Sequence, residues 1–187
     1  MMHHAITAIT LSRTGITRYT PRDMQHYVHR RTIETVEDLH TQRLAALYSV
    51  KTPWCFFLDD DDALPPNVGG VLHLCLAAAE QHGAKMVSTD EMIIAEQETK
   101  RNDMIHHLVL MHTDTAQQAA RDIPLGRYWT ESILYPQLAQ AGHLHVAEVG
   151  YHWHCGNSGF HTNPYLVEAR INSNRWCSTQ RLKLIIH

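Results

Sequence analysis

Residues 54–66 read WCFFLDDDDALPP. The opening WCFFL has no polar alternation, the pattern of a strand buried on both faces. Four adjacent carboxylates follow, Asp59, Asp60, Asp61 and Asp62, and then a turn whose prolines cannot continue a sheet ladder. Neighbouring negative charges repel one another, so a fold that keeps them together needs a counter-charge. Hard divalent cations prefer oxygen ligands, and Mg²⁺ usually takes one or two carboxylates and completes its shell with phosphates and water. In open α/β sheets ligands gather at the carboxyl ends of the strands, where this run falls. The acidic run therefore reads as part of a coordination shell shared with a diphosphate, or else as a solvated acidic turn.

Working outward, the chain alternates strand and helix patterns. Residues 5–11, AITAITL, suit a first strand and 24–30 a second. Between 35 and 50, Val36, Leu39, Leu44, Leu47 and Val50 keep one helical side apolar, and Pro53 closes the segment. Residues 70–82 read as a helix stopped by Gly83. Further strands are expected at 85–94, 105–111 and 143–153, with a short helix at 115–121 and an exposed charged stretch at 96–103. A helix is expected from Thr130 to Leu138, with Pro136 either in its first turns or bending it. The tail RLKLIIH suits a closing strand or helix. With no repeat and no long linker, residues 1–187 form one α/β domain.

Composition narrows the function. A net charge of −3 argues against a strongly basic nucleic-acid binder, and no apolar run is long enough to span a bilayer. The first residues lack a signal-peptide pattern, so a cytoplasmic location is expected. Cys55, Cys75, Cys155 and Cys177 form no CxxC pair and read as small buried hydrophobes. The 16 histidines are the unusual feature, available as ligands or as pH-sensitive groups.

The segment 43–66, RLAALYSVKTPWCFFLDDDDALPP, resembles the centre of GT-A glycosyltransferases, DxD-containing members of the nucleotide-diphospho-sugar transferase superfamily. The resemblance implies a Rossmann-like three-layer α/β/α sandwich with a mixed, mostly parallel central sheet. It also implies that Asp59 and Asp61, or the shifted pair Asp60 and Asp62, contact the nucleotide and a Mn²⁺ or Mg²⁺ ion. Asp61 is preferred as principal metal ligand, with Asp59 nearer the nucleotide. Downstream, residues 124–142, PLGRYWTESILYPQLAQAG, resemble the segment that carries the catalytic base in inverting members. Glu131 takes that position, and Ser132 replaces the family's second carboxylate. Residues 149–162, VGYHWHCGNSGFHT, resemble the loop that covers the diphosphate. That makes His152, His154 and His161 candidates to complete the metal shell, with Ser158 and His154 at the donor. In the N-terminal part, Thr10, Ser12, Arg13 and Asp38 are the nucleotide-facing candidates, and Arg43 either approaches the diphosphate or is exposed on its helix.

The implied activity is metal-dependent transfer of a sugar from a UDP- or GDP-sugar to an acceptor hydroxyl on a glycan, a modified nucleic-acid base, a lipid carrier or a protein. Two other readings compete. One is a Mg²⁺-dependent nucleotidyltransferase, which usually has a richer glycine loop than SRTGITR. The other is a noncatalytic zinc module using His152 or His154, Cys155, His161 and Cys177, although paired zinc-ligand spacing is absent.

Overall fold

The computed structural model describes residues 6–12, 25–30, 36–96, 98–154, 164–180 and 182, with the backbone alone for 25–30 and 36–38. Its strands are β1 (Ile6–Ser12), β2 (Gln25–Arg30), β3 (Trp54–Phe57), β4 (Met86–Ile94), β5 (Thr99–Asn102), β6 (Val109–His112) and β7 (His143–His154). The helices are α1 (Val36–Ser49), α2 (Val68–His82), α3 (Thr113–Ala119), α4 (Thr130–Gln140) and α5 (Pro164–Thr179).

The strands form one sheet in the order β2-β1-β3-β6-β4-β5, with β7 also paired to β4. β1 pairs in parallel with β2 and β3, and β4 in parallel with β7, whereas β5 and β6 run antiparallel to their neighbours. β7 lines β4 from Met86 to Ile94, so β6, at Met86–Ser88, and β5, at Glu91–Ile94, share the other edge.

Alternation along the central strands supplies two cores. Ile9, Cys55, Phe57, Met86 and Met111 pack with residues of α1, α3, α4 and α5. Ala8, Phe56, Leu58, Val87 and Leu110 pack on the other face against Val68, Val71, Leu72 and Cys75 of α2. The strand expected to be buried on both faces is so: Cys55 and Phe56 are fully inaccessible. The layering is therefore α/β/α over a mixed, mostly parallel sheet, and Gly83 ends α2 in the left-handed region at φ 66°.

Three local outcomes differ from the sequence reading. The charged stretch 96–103 contains β5, exposed along Thr99–Arg101, because an antiparallel edge strand needs no apolar face. The strand expected at 105–111 begins only at Val109. α5 falls where no helix was expected, since only Leu166, Ala169, Ser173 and Cys177 of it are buried. Pro136 sits in the second turn of α4, where it cannot donate to the Ser132 carbonyl. The Cys177 thiol of α5 donates to that carbonyl instead, at 3.3 Å. The tail 183–187 lies outside the described residues.

Candidate active site

The acidic run turns sharply after β3. Leu58 N–H donates to Ile9 O at 2.9 Å, Asp62 N–H to Asp59 O at 3.3 Å, and Ala63 forms a two-way backbone bridge with His152 of β7. β7 reaches the turn because of irregularities in its pairing with β4: the register shifts on either side of Asp90, and residues 147, 148 and 150 are left without a partner. Bulges of this kind re-aim the side chains that follow them. The first re-aimed residue, Tyr151, is fully buried; its hydroxyl accepts Asp59 N–H at 3.0 Å and donates to Asp62 Oδ2 at 2.9 Å. His154 N–H donates to Asp62 Oδ1 at 2.8 Å. Burial first, and then the neighbouring Asp59, push the Asp62 carboxyl up to about 7.

A buried cation joins this turn to α4. Arg43 of α1 is 5% exposed, with Nη2 donating to Asp59 Oδ1 at 2.6 Å and Nη1 paired with Glu131 Oε1. Its guanidinium lies over the rings of Phe57 and Trp129, 5.5 and 5.4 Å from their centroids. Burial pulls against its charge, but Glu131 and Asp59 outweigh that and raise its pKa. Burial likewise opposes ionisation of Asp59, yet Arg43, with help from His107 and His106, holds its carboxyl below the usual range. Glu131 stands in the first turn of α4, and its Oε2 is buried with no hydrogen-bond partner among the described residues. His40 braces that turn from α1, with its ring nitrogens 2.8 Å from Thr130 Oγ1 and 3.0 Å from Pro124 O.

Ligand atoms of Asp59, Asp62 and His107 lie within 4.8 Å of one another. His107 Nε2 is 3.8 Å from Asp59 Oδ2, the carboxylate oxygen turned away from Arg43. His154 Nδ1 is buried, has no hydrogen-bond partner among the described residues and lies 3.9 Å from Asp62 Oδ1. Two carboxylates with convergent imidazoles are a donor set that fits a divalent ion.

The structure thus brings Asp59, Arg43 and Glu131 into one cluster, with His154 beside Asp62. Asp61 is exposed, Asp60 half-buried, and the inward-facing acids are Asp59 and Asp62, three apart across the turn. Arg43 is buried rather than exposed on its helix. His152 contributes its backbone to the bridge with Ala63 and is not among the convergent ligand atoms of Asp59, Asp62 and His107. Thr10 and Ser12 are buried near the end of β1. Arg13, Cys155, Ser158, His161 and the side chain of Asp38 lie outside the described residues. Cys177 is committed to the Ser132 carbonyl. The sequence reading did not single out Glu91, His107 or Tyr151. The available signals were an acid within the strand-like run KMVSTDEMII and a histidine pair directly before LVLM.

No protein-family model and no curated protein matches this sequence. Solved structures of S. aureus TarS share its fold. TarS 1-349 in complex with UDP-GlcNAc aligns with TM-score 0.67 at 10% identity, over 97% of this chain and 68% of that one. A longer TarS chain aligns with TM-score 0.61 at 10% identity, over 97% of this chain and 40% of that one. TarS 1-349 in complex with UDP aligns with TM-score 0.50 at 10% identity, over 80% of this chain and 60% of that one. The likeness is one of fold, a glycosyltransferase-like, Rossmann-type sheet. No helix among the described residues is long and apolar enough to cross a membrane.

Proposed function

We propose that the chain is a metal-dependent glycosyltransferase that moves a sugar from a UDP-sugar to an acceptor hydroxyl with inversion. The observation that carries this reading is Arg43, which ties Asp59 of the acidic turn and Glu131 of α4 into one cluster near the carboxyl end of β3. The similarity of fold to TarS, crystallised with UDP-GlcNAc and with UDP, supports a uridine diphosphate donor.

Asp59 and Asp62, with His154 beside them, would hold Mn²⁺ or Mg²⁺, with Asp61 toward solvent. A bound ion of that kind supplies Lewis-acid neutralisation of a departing diphosphate. Glu131 accepts the acceptor's hydroxyl proton at Oε2, the oxygen that Arg43 does not engage. Arg43 fixes the direction of that carboxylate, and His40 and Thr130 fix the helix turn that carries it. Trp129, against the Arg43 guanidinium, helps to cover the pair from water.

The test measures UDP release from a panel of UDP-sugars in Mn²⁺ for the wild type, Glu131→Gln and Asp62→Asn. Loss of a general base costs roughly 10²–10⁴ in rate. Glu131→Gln should fall by that much while still binding UDP-sugar, and Asp62→Asn should lose Mn²⁺-dependent binding. Wild-type turnover in Glu131→Gln would remove the assigned base.

A further inference from the structure

Beyond the acidic turn, Glu91, His106 and His107 form a second convergence of ligating atoms, all within 4.8 Å of one another. Glu91 sits on β4 and is fully buried; its Oε1 lies 3.2 Å from His106 Nδ1 and its Oε2 2.6 Å from His107 Nδ1. Consecutive residues of an extended chain point to opposite sides. Here the two imidazoles lie with centroids only 3.8 Å apart, and the next residue, Leu108, is fully buried with φ 43°. A left-handed backbone at a bulky residue is a strained conformation of the kind that clusters at functional sites.

The surroundings fix both rings. Tyr151 stacks on His107 at 4.5 Å with an 8° interplanar angle, and Trp153 meets His106 edge-on at 4.9 Å. Asn102 of β5 donates to Glu91 Oε1 at 2.7 Å. The His106 side chain is 35% exposed, which leaves one side of the cluster open to water.

We propose that Glu91, His106 and His107 form a second cation site, which takes a late first-row divalent ion such as Zn²⁺ through two imidazole Nδ1 atoms and one carboxylate. Two imidazoles with one carboxylate suit Zn²⁺, Co²⁺ or Ni²⁺ in preference to Mg²⁺. Zinc–ligand bonds of about 2.0–2.2 Å need only a small opening of the present spacings. A metal held at Nδ1 of a neutral imidazole leaves that ring's proton on Nε2. The Nε2–H of His107 then faces Asp59 Oδ2, the carboxylate outer partner that metal-bound histidines commonly have. The second site is thereby coupled to the acidic turn through a single ring. It stands independently of the transferase reading.

The test titrates metal-free protein with Co²⁺, follows ligand-field absorption, and then competes with Zn²⁺ and excess Mg²⁺. Wild type should give one Co²⁺ spectrum that Zn²⁺ displaces and Mg²⁺ does not. His106→Ala should weaken Co²⁺ by more than the roughly 10–100-fold typical of an outer partner, and Asn102→Ala by about that range. Asp62→Asn, which touches only the carboxylate group, should keep the spectrum. If His106→Ala fails to fold by circular dichroism, His106→Gln takes its place. Unchanged Co²⁺ affinity in the His106 variant, or a spectrum lost only in Asp62→Asn, overturns the site. Wild type that binds UDP-GlcNAc in Mn²⁺ but shows no Co²⁺ spectrum also overturns it, and leaves the transferase reading standing.

Discussion

Arg43 Nη2 donates to Asp59 Oδ1 at 2.6 Å, so the middle of α1 is fastened by charge to the turn that follows β3. The same guanidinium pairs with Glu131, and its side chain is 6% exposed. Removing one partner of a buried ion pair leaves the others uncompensated, at roughly 3–5 kcal/mol. Arg43→Met should therefore lower unfolding free energy in urea by an amount near that range, and Arg43→Lys by less. A loss below about 1 kcal/mol in Arg43→Met would show that water reaches this cluster.

Tyr151 carries two acids on one oxygen, accepting from Asp59 N–H and donating to Asp62 Oδ2. Tyr151→Phe keeps the ring that stacks on His107 but strips both bonds from a buried site. Leaving such groups unsatisfied costs about 1–3 kcal/mol. Chemical denaturation should show that loss, and Mn²⁺ affinity by calorimetry should fall with it. A variant that matches wild type in both would mean the turn keeps its shape without the hydroxyl.

The layers of this fold were readable because burial repeats. WCFFL has no polar position to spare, and a strand with both faces covered needs none. Gly83 was readable as a helix stop because few other residues adopt φ 66° without strain. β5 and α5 were not, since an exposed edge strand and a helix with a narrow apolar stripe leave weak patterns in the chain.

The site divides in the same way. Asp59 and Glu131 stood out through local motifs, but the choice of inward acids depends on a turn held by β7, roughly ninety residues downstream. Tyr151 reaches those acids only after the pairing irregularities around Asp90. His106 and His107 meet Glu91 through a backbone conformation at Leu108 that composition does not announce.

Gly150 tests whether that irregular pairing positions the site. A Cβ there would come within 2.5 Å of Thr89 Oγ1 and 2.9 Å of Leu108 Cδ2. Overpacking of this kind costs about 1–3 kcal/mol. Gly150→Ala should lose that much in thermal or urea unfolding, and adding Thr89→Ala, which removes the nearest atom, should recover part of it. Strict additivity of the two changes would show that the methyl is accommodated elsewhere.

His40 gives the fold a pH limit at the base of α4. Its ring is 1% exposed; Nε2–H donates to the Pro124 carbonyl, which leaves Nδ1 to accept the Thr130 hydroxyl. Burial, the largest influence, holds its pKa below the ordinary 6.5 despite the Pro124 bond and Glu131, which favour the charged form. In the unfolded chain the ring takes up a proton near pH 6.5, and in the folded chain only at lower pH. Its contribution is therefore complete above about pH 6.5 and is lost as pH falls toward the folded value, with a slope of at most about 1.4 kcal/mol per pH unit. Other buried histidines titrate in the same direction, so the measurement is a difference: urea unfolding of wild type and His40→Gln between pH 7.5 and about 5. The gap in stability should be widest at the upper end and shrink below about pH 6.5. A gap that stays constant across the range would mean that His40 takes up its proton at the same pH in the folded and the unfolded chain.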